Sequence, residues 1–389
     1  MKNLPLFSMD SINILFRYFG EIEWQMPVMW LIGAILIYLA IKKDMEPTLL
    51  LPMGFGAILM NLPTPLQQDA AGNLVEAEGV SEVLETLYNA GIANELFPLI
   101  LFIGIGAMID FGPLLSNPKM LLFGAAAQFG IFFTYFVASF FFDIKDAASI
   151  GIIGAADGPT AIVVSRALNS NYIGAITVAA YSYMALVPII QPPVIRLITT
   201  KKERMIRMEY KPAAVSKTTR ILFPIIITVL AGLFAPASVA LVGFLMFGNL
   251  IRECGVLDNL SQTAQKELAN LVTLFLGITI AFTMKGEDFL KPATLLIMGL
   301  GLFAFVFDTV GGVMLAKVMN LFSKKKVNPM VGAAGISAFP MSSRVIHKMG
   351  RQEDPDNFLL MHAAGANVSG QIGSVIAGGL IITLVENLL

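Results

Sequence analysis

Apolar residues come in long blocks with little polar interruption, at 27–41, 48–62, 96–111 and 120–142, then at 147–165, where glycines break the run, and at 172–199. After a basic stretch the pattern returns, with blocks at 221–234, 238–251, 268–282 and 292–321, a second glycine-broken run at 328–346 and a last block at 358–388. A bilayer-crossing helix needs about 20 mostly apolar residues, and only helices or closed barrels satisfy their backbone in lipid. The blocks therefore predict an all-α, polytopic membrane protein with about ten spans. Residues 1–26 differ, with Ile12, Ile14, Leu15, Phe16 and Phe19 set among polar positions. That pattern predicts an interfacial amphipathic segment, and it has neither the lysine-rich start nor the small-residue site of a cleaved signal.

Charge orients the spans, because Lys and Arg concentrate in cytoplasmic loops. Residues 44–118 hold no Lys or Arg but do hold Glu76, Glu78, Glu82, Glu85 and Glu95, which suits an external loop. Lys42, Lys43, Lys119 and the cluster Lys201, Lys202, Arg204, Arg207, Lys211, Lys217 and Arg220 read as cytoplasmic. These assignments agree only if 147–165 enters and leaves on the external side, as a re-entrant hairpin. Lys324, Lys325 and Lys326 place the mouth of the second broken run in the cytoplasm.

Three short matches recur in the same order: Leu101-Phe102-Ile103-Gly104-Ile105 with Leu274-Phe275-Leu276-Gly277-Ile278, Gly154-Ala155-Ala156 with Gly332-Ala333-Ala334, and Ala179-Ala180 with Ala363-Ala364. Their offsets of 173, 178 and 184 residues drift slowly, as small loop insertions would produce. The organisation expected is a first membrane repeat at 27–199 with a hairpin at 147–165, a basic cytoplasmic linker at 200–220, and an inverted second repeat at 221–389 with a hairpin at 328–346. Inverted repeats with interrupted segments at matching positions point to a transport site near the midplane, where the hairpins meet.

Composition supports lipid as the solvent: 56 % of residues are hydrophobic, 14 % are charged, and the mean hydropathy is +0.75. The net charge of −1 adds little, since its distribution is what matters. A single cysteine, Cys254, excludes an internal disulfide framework. The basic residues flank spans instead of forming one stripe, so nucleic acid is not an expected partner.

The first broken run reads Gly151-Ile-Ile-Gly154-Ala-Ala-Asp157-Gly158-Pro159-Thr160. Gly and Pro break the helix and free carbonyls beside one carboxylate, which in hydrocarbon must face a polar cavity, pair, or bind a cation. The bland alternative for Asp157 is a helix N-cap with no further duty. The second run, from Asn328 through Gly332 and Ser337 to Ser342, Ser343 and Arg344, offers neutral oxygens that suit a hard cation. Serines that merely satisfy broken helix ends would look the same. Arg344 could hold an anion by its planar fork or snorkel to the interface. The repeats align Tyr183 with Asn367, which precedes Ser369, Gly370, Gln371 and Ser374. Tyr183 could relay a proton or simply hydrogen-bond in the core. Asp308, a second intramembrane carboxylate, is open between interhelical bonding and transport. His347 and His362 are too isolated for a metal site. No phosphate-binding loop, hydrolase elbow or metalloprotease motif appears, so ATP-driven pumping by this chain is not expected.

At Gly154-Ala-Ala-Asp157-Gly-Pro-Thr160-Ala-Ile, at Tyr183 with Gln191-Pro192-Pro193, across 328–344, and at Gly365-Ala-Asn367-Val-Ser-Gly370, the sequence resembles the β subunit of the biotin-dependent sodium-pumping decarboxylases. That family acts on oxaloacetate, methylmalonyl-CoA, glutaconyl-CoA or malonate, and the resemblance covers essentially the whole chain. It implies a carboxybiotin decarboxylase of the bacterial inner membrane that takes up an external proton and exports Na⁺. Biotin would arrive on a partner, and no biotin-attachment lysine between methionines occurs here, since Met284-Lys285 is followed by Gly286-Glu287. Implied partners are carboxyltransferase and biotin-carrier subunits, a small membrane subunit, membrane lipid and further copies of this chain as a trimer, with a core moving against a scaffold.

The resemblance implies Asp157, Tyr183 and Arg344 as catalytic, with Arg344 meeting carboxybiotin, and Asp157, Asn328, Gly332, Ser337, Asn367 and Ser374 as Na⁺ ligands. The chain is somewhat short for the oxaloacetate type, which leaves the substrate open. The linker at 200–220 is a candidate docking surface or a plain positive-inside loop. From the residues alone, a stand-alone transporter exchanging Na⁺ for an organic anion would use the same broken helices and Arg344.

Overall fold

The computed structural model describes residues 17–64, 66–68, 74–76, 79–210 and 215–388. It is a helical membrane protein, with one antiparallel two-stranded ribbon, Leu66–Gln68 against Leu74–Glu76, among the described residues. Among the described residues, seven helices are long and apolar enough to cross a bilayer: Gln25–Lys43, Pro118–Ala138, Ile173–Ile198, Lys217–Phe234, Asp258–Met284, Pro292–Phe322 and Leu360–Leu388. Val80–Gly91 with Leu96–Met108 makes an eighth if that broken pair is one span. Apolar blocks at 48–62 and 238–251 fold into the shorter helices Pro47–Met60 and Val239–Glu253. Of the expected N-terminal amphipathic segment, residues 1–16 lie outside the described residues, and Arg17–Glu21 is a single 3₁₀ turn.

The chain forms two compact units, Met1–Ala90 with Leu274–Lys291, and Gly91–Thr273 with Pro292–Leu389. In the smaller one, Gln25–Lys43 packs on Pro47–Met60 where Gly33 and Gly54 face each other. A Cβ on either glycine would come within 2.5–2.6 Å of the other's carbonyl oxygen, so only hydrogen fits. Asn61 ends that pair of helices and ties it to the turn at 284–286: its amide donates to the Ala57 and Met284 carbonyls, both at 2.8 Å, and its Oδ1 accepts from Gly286 N.

The larger unit contains both broken runs, and each folds as helix, break, helix. The first comprises Ile144–Gly151, a 3₁₀ turn Ile152–Ala155, and Gly158–Ala167. The second comprises Pro329–Ala333, an irregular stretch, and Met341–Glu353. Helix Pro292–Phe322 backs both hairpins. Its Gly301, Ala304 and Asp308 lie against the first turn, and its Gly312 meets Gly332 of the second hairpin with each glycine's Cβ position about 2 Å from the other's carbonyl. Gln191, just before Pro192 and Pro193 in helix Ile173–Ile198, donates to the Ala333 carbonyl at 2.7 Å and accepts from Ser342 Oγ at 3.0 Å, which clamps the two arms of the second hairpin together.

The basic linker folds onto the mouth of that hairpin. Arg204 pairs with Glu353 at 2.7 Å, and Arg207 pairs with Asp354 at 2.6 Å. Hydrogen bonding from Arg207 holds the Asp354 carboxyl below the usual carboxylate range. A lowered folded-state value means that the contact's contribution is full above about pH 4 and is lost as pH falls through the lowered value. Amide protection factors around Arg204–Met208, corrected for the intrinsic pH dependence of exchange, are therefore expected to fall on acidification, and Arg207→Ala is expected to lower them likewise at neutral pH. Protection in that segment that ignores both changes would remove the pair as its anchor.

Candidate functional site

The break in the first hairpin is built to present one carboxylate. Ala156 adopts left-handed backbone (φ 51°, ψ 44°), a conformation that costs an L-residue roughly 1–2 kcal/mol and turns the chain sharply. Asp157 follows as N-cap of Gly158–Ala167, and Pro159 at the first turn supplies the φ that a starting helix needs. Asp157 is 3 % exposed. Its Oδ1 accepts from Thr160 N at 3.4 Å, and its Oδ2 accepts from Thr160 Oγ1 at 2.9 Å and from Ser374 Oγ at 3.0 Å. The N-cap expected as the bland alternative is present, but it is not the whole environment, because Ser374 comes from the last helix, Leu360–Leu388.

That last helix runs past both breaks. Asn367, Gln371 and Ser374 stand at i, i+4 and i+7 on one face. Ser374 meets Asp157, whereas the Asn367 amide donates to the Ile336 carbonyl at 2.6 Å and the Gln371 amide donates to the Ser337 carbonyl. Ser337 Oγ donates to the Gly370 carbonyl at 3.0 Å. The hairpins themselves touch, since Ser337 N donates to the Ala155 carbonyl at 3.1 Å. Both amides spend their nitrogens on the second hairpin, and this leaves oxygens over. Asn367 Oδ1 and Gln371 Oε1 are buried with no hydrogen-bond partner among the described residues, and the same is true of Tyr181 Oη. The Tyr181 ring lies directly over Gly158, where a Cβ would fall 2.2–2.5 Å from three ring carbons. Burying polar oxygens unpaired is costly. At Asp157 itself the carboxylate and the Thr160 and Ser374 hydroxyls are all hard oxygens, the type of donor that suits an alkali cation.

The other expected residues sit apart from that carboxylate. Asn328 caps the second hairpin's first helix, accepting from Met330 N at 3.1 Å, and its amide donates to the Arg204 and Ile206 carbonyls at 2.8 and 2.9 Å. Its polar atoms serve the hairpin mouth. Gly332 is the contact point with Gly312. Tyr183 Oη donates to the Met298 carbonyl, and its ring packs on Gly301. Arg344 is exposed on Met341–Glu353. Asp308 Oδ1 accepts from the backbone N of Ile131 at 3.1 Å, just after the interruption of helix Pro118–Ala138. Its Oδ2 lies beside Gly154 with no partner among the described residues.

Residues 25–385 match the family described as the Na⁺-transporting oxaloacetate decarboxylase beta subunit. The chain belongs to that family. It is 50 % identical over 372 residues to the methylmalonyl-CoA decarboxylase subunit beta of Propionigenium modestum, covering 92 % of this chain and 94 % of that one. It is 47 % identical over 369 residues to the glutaconyl-CoA decarboxylase subunit beta of Acidaminococcus fermentans, with 94 % and 95 % covered. It is also 45 % identical over 432 aligned positions to a probable oxaloacetate decarboxylase beta chain of Vibrio cholerae, with 97 % and 100 % covered. The protein is thus a multi-pass membrane subunit of a bacterial sodium-pumping decarboxylase, as the sequence resemblance implied.

Within this beta subunit, sequence reasoning singled out Tyr183 and passed over Tyr181, Thr160 and Gln371. Thr160 was recoverable, because an Asp N-cap is followed three residues later by the group it caps. Gln371 could have been found from its i+4 spacing to Asn367. Tyr181 could not be separated from Tyr183 by repeat matching, because a two-residue step on a helix swings the side chain through more than half a turn.

Proposed function

We propose that this beta subunit binds Na⁺ at Asp157, together with Thr160, Ser374, Asn367 and Ser337, and couples its export to decarboxylation of carboxybiotin carried by a partner subunit. The observation that carries the reading is the Asp157 carboxylate, buried at the break of the first hairpin and met there by Ser374 of the last helix. Moving a positive charge outward against the membrane potential costs about 2.3 kcal/mol per 100 mV. Decarboxylation of carboxybiotin supplies the driving force, and the proton it consumes enters from outside. Asp157 alternates between the proton and Na⁺, and Tyr183 assists proton delivery from the helix behind the first hairpin. Asn328 and Gly332 serve the same site by holding the second hairpin in place.

Arg344, exposed on the outgoing arm of the second hairpin, meets the carboxylate of carboxybiotin with its planar fork. Arg344→Ala is expected to lower turnover with carboxybiotin about 10²-fold at saturating Na⁺, with little change in the Na⁺ concentration for half-maximal rate. A shifted Na⁺ requirement with normal carboxybiotin use would reverse that assignment.

The partners proposed are carboxyltransferase and biotin-carrier subunits, a small membrane subunit and two further copies of this chain. Alignment with the oxaloacetate-type chain runs to 432 positions, longer than this 389-residue chain, whereas alignment with the methylmalonyl-CoA type needs only 372. That length match favours an acyl-CoA as the carboxyl donor to biotin. In vesicles reconstituted with the whole complex, avidin is expected to stop Na⁺ uptake. Uptake that continues with avidin would instead make the chain a stand-alone carrier.

A further inference from the structure

At the end of the larger unit marked by the two basic clusters, Lys202, Glu203 and Ile206 of the linker and Met314, Lys317, Val318, Asn320, Leu321 and Lys326 line a cavity of about 510 Å³. The sequence places both clusters in the cytoplasm by independent charge counts. The structure brings Lys202 and Lys326, one from each cluster, to this same cavity, where Glu203 of the linker pairs with Lys317 of Pro292–Phe322 at 3.2 Å.

Three ammonium groups share this cavity with a single carboxylate. Burial would raise the Glu203 carboxyl, but hydrogen bonds from Thr200 and the Lys317 ammonium outweigh it and hold that carboxyl below its usual range. Glu203 is therefore a fixed anion already committed to Thr200 and Lys317, and it leaves an excess of positive charge. Lys326 reaches only a neutral oxygen, the Asn320 carbonyl. Flanking Lys317 on the same helix, Met314, Val318 and Leu321 line the wall and are 47 %, 45 % and 78 % exposed on Pro292–Phe322. Ammonium groups side by side with an exposed aliphatic strip match the two parts of one molecule, a phosphodiester headgroup joined to acyl chains.

We propose that this cavity is a binding site for an anionic phospholipid of the cytoplasmic leaflet, with Lys202, Lys317 and Lys326 holding the phosphodiester and the Met314–Val318–Leu321 strip seating an acyl chain. Near a membrane surface each lysine contributes about fivefold to anionic-lipid affinity, so removing two lowers it by roughly 30-fold. Neither the lipid nor these lysines touches Asp157 or the hairpin breaks, and the site stands independently of the coupling mechanism.

The test uses the full-length chain, delipidated in detergent and reconstituted into nanodiscs of equimolar phosphatidylglycerol and phosphatidylcholine. Native mass spectrometry then reads which lipid stays bound. Wild type is expected to retain phosphatidylglycerol preferentially, and Lys202→Gln with Lys326→Gln is expected to lose that preference. Lys348→Gln, a basic change outside the cavity, is expected to keep it. The double variant leaves the Lys317–Glu203 pair intact, and an unchanged melting temperature in detergent shows that it folds. Equal retention of the two lipids by wild type, or an undiminished preference in the double variant, would overturn the proposal. So would displacement of the bound lipid by millimolar inorganic phosphate, which would make the site one for free phosphate. Efficient Leu321→Cys crosslinking between two copies of the chain would put protein, not lipid, on the strip and overturn it as well.

Discussion

Asp157→Asn is expected to abolish Na⁺-dependent decarboxylation, by about 10²-fold or more, while the chain still inserts and folds. Asparagine keeps the cap, because its Oδ1 can still accept from Thr160 N as Asp157 Oδ1 does at 3.4 Å. It loses the negative charge that would balance Na⁺ and the capacity to take up and release a proton. The side chain is too deeply buried for water to replace either function. Ser374→Ala removes only a neutral hydroxyl from the same carboxylate, so its effect should be confined to the Na⁺ requirement. Steady-state turnover of the purified complex against Na⁺ concentration separates the two variants. Near-normal turnover in Asp157→Asn would move the coupling chemistry elsewhere, and Asp308 would be the next carboxylate to test.

The second large effect concerns backbone contact. Gly312→Ala and Gly332→Ala should damage the protein to the same degree, because each added methyl would fall about 2 Å from the other residue's carbonyl oxygen. Overpacking costs typically about 1–3 kcal/mol, and backbone cannot rotate away as a side chain can. Gly299→Ala, on the same helix with open space around it, is the matched control and should melt normally. If Gly332 acted instead through its own carbonyl on a cation, Gly332→Ala would alter Na⁺ dependence and Gly312→Ala would leave it alone. Melting temperature and Na⁺ titration of the three variants distinguish these outcomes.

Much of this was legible in the sequence because the bilayer makes apolar length and charge placement nearly sufficient to identify spans. The two glycine-broken runs each fold as helix, break, helix, and Asp157 of the first meets Ser374 of the last helix. Helix phase was harder to read. Tyr183 and Tyr181 are two residues apart, and only packing shows that Tyr181 covers Gly158 while Tyr183 turns to Met298. Asn328 looked like a ligand because it opens a broken run. Its real neighbours, the carbonyls of Arg204 and Ile206, are more than a hundred residues away in sequence, and no local pattern announces them. Pro188, Pro192 and Pro193 sit inside the continuous helix Ile173–Ile198, where proline ordinarily disrupts, and the Gln191 clamp exploits that stretch.

Among the described residues the hairpin tips are joined by one backbone hydrogen bond, Ser337 N to the Ala155 carbonyl at 3.1 Å. In hydrocarbon neither group can be left bare, so the tips part only when something else, water or an ion, arrives to take the partner's place. If Na⁺ crosses between the tips, as the proposed function requires, this bond is what the ion or its water must displace, at a cost of about 1–3 kcal/mol. The barrier would then be set by one pair of backbone groups and not by a bulky side chain.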